Sequence, residues 1–254
     1  MRTALIVGGA NGIGLSIATQ LAKRDDYIKV YILDKCNVPE EYWNQKFEYI
    51  HFDLTIDDYI IFDSFKDVDT LMITAGFGKL SLFKDVTDQH IINSFYVNSI
   101  APIRIIHHFM DKLGGCDDFR CGIMVSIAGF MSSPFFAVYG ATKAALKIFI
   151  ESVNVELEKE GSSNRILNVS PGSIKGTSFN NEKTVLSMTE TLANDIVEHL
   201  EAKKDLFIPQ YEEIFKQVLS RYHADFRAEG RHSYEYKQNR IKHGKRPKVV
   251  LGNP

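Results

Sequence analysis

Two side chains that stand four residues apart, the phenol of Tyr139 and the ammonium of Lys143, could handle a proton together. Residues at this spacing lie on one face of a helix, with their Cβ atoms about 5–6 Å apart. A lysine cation beside a tyrosine favours the phenolate, so it would lower a pKa that is ordinarily about 10 and make the phenol a general acid or base. The same spacing is common on solvated helix faces, so the role of the pair depends on its surroundings.

The segment before this pair would bring a hydroxyl group to it. Residues 122–125 are apolar and are predicted to form a buried strand, and Ser126 follows at its carboxyl end. The helix that carries the pair is predicted to begin at Tyr139 and to run to about residue 160. A hydroxyl held at the end of the strand could donate a hydrogen bond to a substrate oxygen on which charge develops.

A glycine-rich turn near the N-terminus predicts a phosphate-binding site. Gly8, Gly12 and Gly14 lie between an apolar run at 4–7 and a stretch with helical spacing at 15–22. Glycines let the backbone turn tightly and approach a pyrophosphate, and the N–H groups at the start of the helix favour an anion. The pattern of strand, glycine turn and helix therefore predicts a dinucleotide site.

An acidic residue stands where such a site needs one. The strand predicted at 28–33 ends at Asp34, twenty residues after Gly14. This is the offset at which a carboxylate binds the adenosine ribose. Because the carboxylate would repel a 2′-phosphate, NAD is favoured over NADP. The alternative is a turn residue that only ends the strand, since aspartate favours turns.

The remaining apolar segments predict the fold class. Further strands are expected at 47–52, 70–74, 165–170 and 206–209. Helical segments, at 88–98, 101–113 and 189–202, lie between them. About seven strands that alternate with helices indicate an α/β doubly wound parallel sheet, a three-layer Rossmann fold in a single domain. Asp53 and Gly76 then fall at carboxyl ends of strands, where such sheets bind ligands, although Asp53 could equally cap the next helix.

Composition and charge exclude several classes of function. Hydrophobic residues make up 44% of the 254-residue chain and charged residues 24%, which indicates a globular protein rather than a disordered or coiled-coil one. The net charge of −2 provides no field that would attract nucleic acid or an anionic membrane. No apolar run of about 20 residues predicts a membrane span or signal segment. The three cysteines show no disulfide or metal-ligand spacing, so a reduced, cytoplasmic protein without a metal site is expected.

The C-terminal part of the chain differs from the rest. Residues 1–210 are predicted to form the dinucleotide-binding catalytic domain, and 211–254 an extension that packs on the core or on a partner subunit. The extension combines an amphipathic stretch at 211–219 with a basic tail from Arg227 onward. A solvated tail or a subunit contact is favoured there over a nucleic-acid site, because the tail has few aromatic residues. The helix after Tyr139 has two apolar sides, so a homodimer or homotetramer is expected.

With these elements placed, the chain resembles the short-chain dehydrogenase/reductase family over about residues 1–210. The resemblance assigns a catalytic tetrad to Asn98, Ser126, Tyr139 and Lys143, and the tyrosine stands thirteen positions after the serine, as is common in the family. It implies these cofactor-binding residues: Gly8, Asn11, Gly12, Ile13, Gly14, Asp34, Asp53, Leu54, Ala75, Gly76, Tyr139, Lys143, Pro171, Gly172, Ile174 and Thr177. Two departures from the family pattern are Val7, where Thr is usual, and Ile73 with Thr74, where two Asn are usual.

The resemblance implies an NAD-dependent oxidoreductase that acts on a small-molecule substrate and interconverts a secondary alcohol and a ketone (or aldehyde). Tyr139 would transfer the proton, and Ser126 would hold the substrate oxygen. Lys143 would lower the pKa of Tyr139 and bind the nicotinamide ribose, while Asn98 would position a water molecule that relays protons. The alternative from another class is a non-catalytic, redox-sensing protein that binds a dinucleotide to regulate a partner.

Overall fold

The computed structural model of the chain describes residues 1–177, 179 and 183–242. Seven strands are present: β1 (Arg2–Val7), β2 (Tyr27–Asp34), β3 (Phe47–His51), β4 (Thr70–Ile73), β5 (Arg120–Met124), β6 (Ile166–Val169) and β7 (Leu206–Phe207). The α-helices in the described part of the chain are α1 (Gly12–Lys23), α2 (Asp88–Phe95), α3 (Ala101–His108), α4 (Met110–Gly114), α5 (Ala137–Lys159), α6 (Glu190–Glu201), α7 (Lys216–Ala224) and α8 (Phe226–Lys242).

The strands form one sheet in the order β3-β2-β1-β4-β5-β6-β7, and every neighbouring pair is parallel. The direction of winding reverses between β1 and β4, so the loops after these two strands diverge and leave a crevice at their carboxyl ends. The predicted fold class, a doubly wound sheet of about seven strands, is confirmed.

The two faces of the sheet are covered by two separate apolar cores, which explains the continuous apolar runs of the strands. In β1, Leu5 and Val7 pack in the core under α3 and α5, whereas Ala4 and Ile6 pack in the core under α1 and α6. Successive side chains of a strand point to opposite faces, so both halves of such a run are buried. The helices therefore lie in two layers on either side of the sheet.

The long helical region before β5 is less regular than the sequence suggests. The structure ends α2 at Phe95, inserts a wider π-helical turn at Tyr96–Ile100, and interrupts the next helix at Phe109. Pro102 has no N–H, so an α-helical hydrogen bond to the carbonyl of Asn98 cannot form, and a proline early in a new helix favours a break at this point. The irregular turn thus lies at a residue of the predicted tetrad.

The C-terminal extension, as far as residue 242, packs on the core of this chain. Ile214 and Phe215 form a small apolar cluster with Ile127 and Ile208, and α7 and α8 follow. The last part of the predicted basic tail, residues 243–254, lies outside the described residues. Within the described ranges, the helices are all too short or too polar to cross a membrane.

Candidate active site

The three groups that were predicted to act on a substrate oxygen meet at the carboxyl end of β5. Ser126 follows this strand in an extended conformation, and its hydroxyl accepts a hydrogen bond from the N–H of Ala128. Tyr139 lies in the first turn of α5, which begins two residues earlier than predicted, at Ala137. Lys143 is one turn further along, almost fully buried, with its Nζ 5.7 Å from the centre of the Tyr139 ring.

The protonation of this pair differs from the sequence-based expectation. Burial raises the pKa of the Tyr139 phenol to about 12, although a hydrogen bond with Ser126 lowers it in part. Burial also lowers the pKa of Lys143 to about 7. The ammonium donates a hydrogen bond to the carbonyl oxygen of Met124, at 2.8 Å, and not to the phenol. The pKa of Tyr139 is thus raised and not lowered as predicted, because burial is the largest cause of its shift.

Asn98 is completely buried in the π-helical turn and joins two other elements. Its Oδ1 accepts a hydrogen bond from the N–H of Phe77, and its Nδ2 donates to the carbonyl of Phe77 and to the hydroxyl of Thr142. A Cβ atom placed on Gly76 would lie 3.2 Å from Asn98 Oδ1 and 3.4 Å from Lys143 Nζ. The asparagine thus fixes the loop after β4 against α5, beside the buried lysine.

The glycine turn is closed so tightly that side chains would not fit. A Cβ atom on Gly14 would lie 2.3 Å from the carbonyl oxygen of Gly8 and 2.4 Å from Thr74 Oγ1. The Thr74 hydroxyl donates hydrogen bonds toward the carbonyls of Val7 and Gly8, so this threonine ties the turn to β4 despite the departures from the family pattern.

The other residues of the turn surround a concave backbone surface. Asn11 adopts an extended conformation and is the N-cap of α1, and Ile13 packs on the core under that helix. Ala75 packs so closely on Gly8 that its backbone nitrogen would be 2.4 Å from a Cβ atom there. This concave surface, the phosphate cradle, is formed by residues 8–14 and Ala75. It excludes side chains at Gly8 and Gly14 and ends at the N-terminus of α1, so it fits a pyrophosphate.

Two carboxylates follow β2 and β3 at the same edge of the sheet. The Asp34 carboxylate accepts hydrogen bonds from the N–H groups of Ala10 and Cys36, so it is joined to the glycine turn. Asp53 accepts from the N–H and hydroxyl of Thr55, which lowers the pKa of the carboxyl. The next helical turn is capped by Asp58, so the alternative that Asp53 is its N-cap is wrong.

Leu54 follows Asp53 and lies at the base of this region rather than at its surface. Its side chain is buried, and its carbonyl oxygen accepts a hydrogen bond from the hydroxyl of Tyr59, at 2.8 Å. Leu54 therefore contributes the shape of the turn after β3.

The segment after β6 folds back over the glycine turn. The Pro171 carbonyl accepts a hydrogen bond from the N–H of Ile127, and Gly172 follows it. The Thr177 hydroxyl donates to the carbonyl of Ile174, and its Cβ atom would be 3.5 Å from a Cβ atom on Gly12. This segment thus links the turn after β5 to the phosphate cradle, and it contains four of the predicted cofactor contacts.

Aromatic rings enclose Tyr139 on the side away from the sheet. Phe136 lies 5.7 Å and Phe179 lies 5.3 Å from the Tyr139 ring, measured between ring centres. Gly78 completes the enclosure, because a Cβ atom there would lie 2.8 Å from Phe179 and 3.0 Å from Tyr139. Gly78 was not among the predicted site residues, although it stands only two positions after Gly76, which was.

The sequence matches that of known oxidoreductases. The model of the family described as short chain dehydrogenase matches residues 2–187, most of the chain. An uncharacterized oxidoreductase of Saccharomyces cerevisiae, TDA5, is 28% identical over 213 residues, which are 78% of this chain and 64% of the yeast protein. The chain therefore spans somewhat less than two thirds of that relative.

Solved structures share the fold at low sequence identity. A short-chain dehydrogenase from Streptomyces avermitilis superimposes with a TM-score of 0.72, at 19% identity, over 96% of this chain and 99% of the other. An alcohol dehydrogenase from the archaeon Thermococcus sibiricus, complexed with 5-hydroxy-NADP, gives a TM-score of 0.66 at 20% identity over 82% and 95% of the two chains. From its sequence match and its fold together, the chain belongs to the short-chain dehydrogenase family.

Proposed function

We propose that the protein is an NAD-dependent oxidoreductase that interconverts a secondary alcohol with a ketone, or a primary alcohol with an aldehyde, with Tyr139 as the general acid or base. The observation that carries the proposal is the meeting of Ser126, Tyr139 and Lys143 at the carboxyl end of β5, beside a cradle suited to a pyrophosphate. A phenol and a hydroxyl joined by a hydrogen bond can hold one substrate oxygen between them.

The residues of this chain divide the work of proton transfer. Because its pKa is about 12, Tyr139 carries its proton at neutral pH, so it is ready to donate it to a carbonyl oxygen in the direction of reduction. In the direction of alcohol oxidation the same group must first lose its proton, which higher pH favours. Lys143, with a pKa of about 7, can exchange a proton near neutral pH, and Asn98 holds the adjoining loop in place.

The dinucleotide would be held by the glycine turn and its neighbours. Gly8, Gly12 and Gly14 would receive the pyrophosphate, Asp34 the adenosine ribose, and Lys143 the ribose next to the nicotinamide. A bound nicotinamide dinucleotide supplies or accepts a hydride. The archaeal relative's complex with an NADP derivative supports a cofactor of this class.

We propose NAD rather than NADP because of Asp34. Its carboxylate ends β2 beside the glycine turn, where a negative charge would repel a 2′-phosphate. The Asp34→Asn variant keeps an oxygen that can accept a hydrogen bond and removes the charge. We expect the ratio of kcat/KM for NADH to that for NADPH to fall about tenfold or more. A wild-type protein that prefers NADPH would show that this part of the proposal is wrong.

The decisive experiment compares the wild-type protein with Tyr139→Phe. NADH oxidation is followed with a panel of small ketones, aldehydes and keto-acids, and NADH affinity is measured by fluorescence. General acid catalysis contributes about 10²–10⁴-fold, so turnover should fall by at least this factor while NADH affinity changes little. Tyr211→Phe, at an exposed tyrosine of the extension, is the matched control. Near-normal turnover in Tyr139→Phe would refute the assignment.

Assembly and location are proposed on separate grounds. Ile148 and Val155 are each more than half exposed and lie seven residues apart on α5, so they form an apolar stripe that supports a homodimer or homotetramer. The three cysteines are free, which supports a reducing compartment such as the cytoplasm. Light scattering at several protein concentrations, with Ile148→Lys as the disrupting variant, tests the assembly.

A further inference from the structure

One face of α8 rests on the loop that precedes the helix of Tyr139. Gly230, Tyr234 and Lys237 are spaced four and three residues apart, so they share one side of this helix. A Cβ atom on Gly230 would lie 3.5 Å from Ser132 Oγ, and the Tyr234 ring lies 4.9 Å from that of Phe135. The contact therefore follows the loop from residue 132 towards α5.

Lys237 binds this loop most directly. Its Nζ donates hydrogen bonds to the hydroxyl of Ser133, at 2.7 Å, and to the carbonyl of Pro134, at 2.8 Å. The same ammonium lies 5.5 Å from the centre of the Phe136 ring. Both acceptors are uncharged oxygens, and burial of the ammonium lowers the pKa of Lys237 to about 8. Lys237, which belongs to a tail that sequence alone assigns to solvent or a subunit contact, is therefore bound to the core of this chain.

The loop has a conformation that needs such support. Phe135 has a φ of 68°, in the left-handed region that residues with a Cβ rarely adopt, and its side chain is buried. Its carbonyl accepts a hydrogen bond from the N–H of Ser81, and its ring packs on Tyr234. Strained positions of this kind persist where the surrounding structure holds them.

The loop in turn contacts the proposed acid. The Phe136 carbonyl accepts a hydrogen bond from the N–H of Gly140 in the first turn of α5, and the Phe136 ring packs on Tyr139. A displaced loop would therefore move both an aromatic wall of the site and the start of the helix that carries Tyr139.

We propose that α8 is a positioning element of the active site, in which Lys237 and Tyr234 hold the loop at 132–136 so that Phe136 packs against Tyr139 and borders the substrate. This inference rests on the proposed function for its catalytic consequence, and on contacts within the chain for its structural part. Lys237 touches neither of the reacting groups, and it acts through Phe136.

The first test measures the loop without any substrate. In Lys237→Met the stem of the side chain remains and its donors are lost, and Arg231→Met makes the same change at an exposed position of α8. Hydrogen exchange of the amides of Ser81 and Phe136, both of which donate within the loop region, should accelerate about tenfold or more in Lys237→Met and stay unchanged in Arg231→Met. Unchanged exchange in Lys237→Met overturns the proposal, whatever the enzyme's activity.

The second test reads the surroundings of Tyr139 itself. In protein labelled with ¹³C at the tyrosine ring carbon that bears the hydroxyl, the Tyr139 resonance is assigned by its absence from Tyr139→Phe. It should move in Lys237→Met and return towards its wild-type position in Lys237→Arg, which restores the donors. An unmoved resonance would show that α8 does not position Tyr139.

Kinetics then separate this inference from the proposed function. For a carbonyl substrate that the wild type reduces, Lys237→Met should lower kcat about tenfold while the KM for NADH is kept, and Lys237→Arg should recover most of the loss. If Lys237→Met shows faster exchange in the loop and a shifted Tyr139 resonance but an unchanged kcat, the positioning role is overturned. A wild type that reduces no carbonyl compound would count against the proposed function. In that case the hydrogen-exchange and NMR measurements still decide whether α8 holds the loop at 132–136.

Discussion

The two edges of the parallel sheet use ionisable side chains in opposite ways. At the amino edge, where the strands begin, Glu201 accepts hydrogen bonds from Arg2 and Arg120. Burial alone would raise the pKa of Glu201, but these two arginines lower it below its ordinary value. At the carboxyl edge, Lys143 is buried against a carbonyl oxygen, and burial lowers its pKa to about 7. The arginine cluster at the amino edge therefore favours a charged Glu201, whereas burial at the carboxyl edge disfavours the charge of Lys143.

The same contrast extends to the neighbours of these groups. Arg2 also pairs with Asp26 and lowers the pKa of that carboxyl to about 2, and Arg120 pairs with Asp118. Charges that are balanced in this way stabilise the fold and have no tendency to exchange protons near neutral pH. A lysine that titrates near pH 7 is costly to bury and useful for chemistry. The difference teaches that this fold pairs the arginines of the amino edge with carboxylates, but buries Lys143 at the carboxyl edge without a carboxylate partner.

The largest expected effect comes from Lys143→Met at the carboxyl edge. Removing the buried ammonium should lower kcat about 10²–10³-fold and should also stabilise the protein by about 2–4 kcal/mol at pH 7, since one pKa unit corresponds to about 1.4 kcal/mol. Chemical denaturation and steady-state kinetics on the same samples check both parts. If Lys143→Met is less stable than the wild type at pH 7, burial of this ammonium does not cost stability, and the contrast drawn between the two edges is wrong.

The pH dependence gives this prediction its sign. Lys143 has an ordinary pKa of 10.5 and a folded pKa of about 7, so below pH 7 the charge is present in both states and its burial penalty is complete. Between pH 7 and 10.5 the penalty disappears, because the folded protein has already lost the proton. The stability gained in Lys143→Met should therefore be largest below pH 7 and fade towards pH 10.5.

A second prediction concerns the tight packing around Gly14 in the glycine turn, at the same edge of the sheet. In Gly14→Ala the new Cβ atom would have to displace the Gly8 carbonyl and the Thr74 hydroxyl. Overpacking of this kind should lower the free energy of unfolding by about 1–3 kcal/mol. NADH binding should weaken at least about tenfold, because the cradle must open. Calorimetry and a fluorescence titration measure the two effects.

Gly114→Ala is the matched control for this substitution. A Cβ atom there would have its nearest neighbour, the Glu160 carboxylate, at 3.9 Å, an ordinary contact. The control should keep both stability and NADH affinity. If Gly14→Ala and Gly114→Ala have equal stability and equal NADH affinity, the glycine turn can accommodate a Cβ atom and is less tightly packed than its contacts indicate.

The smallest effect is expected at the amino edge, in Glu201→Gln. Losing the charge that both arginines bind should destabilise the protein by about 1–2 kcal/mol, a value reduced for partial exposure to solvent, and should leave kcat and KM unchanged. Lys216→Met, which removes an exposed ion pair with Glu212, is the control and should leave stability unchanged, because solvent screens this pair.

Here the pH window is the reverse of that for Lys143. A carboxylate whose pKa is lowered on folding contributes stability above its unfolded pKa, 4.5 for glutamate, and that stability is lost as the pH falls through the folded value. The deficit of Glu201→Gln should therefore be full above pH 4.5 and shrink in more acidic solution. A loss of activity at neutral pH would show that the two edges are not independent.

Much of the molecule could be predicted because its signals are local. The apolar runs that became β1 and β2, followed by glycines and by Asp34, need only strand geometry and backbone sterics to be recognised. Their carboxyl ends meet at one edge because parallel strands must do so. The approach of Ser126 to Tyr139 followed from the same rule, since one ends a strand and the other begins the next helix.

The errors arose where a property depends on distant parts of the chain. The π-helical turn at Asn98 was missed, although Pro102 four residues later was a usable signal. The docking of Lys237 on the loop before Tyr139 joins residues more than a hundred positions apart, so the sequence predicted an extension packed on the core or a partner without identifying this contact. Polarity in sequence does not reveal which polar groups find buried partners.

For the pair of Tyr139 and Lys143, the sequence by itself determined which groups are present, their shared helical face and their place beside the end of a strand. The tertiary structure alone decided how they titrate. Spacing brings the ammonium near the phenol, but burial desolvates both groups, and the ammonium binds the Met124 carbonyl. Since a pKa depends on solvation as well as on neighbouring charge, the phenol keeps its proton where spacing alone predicted that it would give it up.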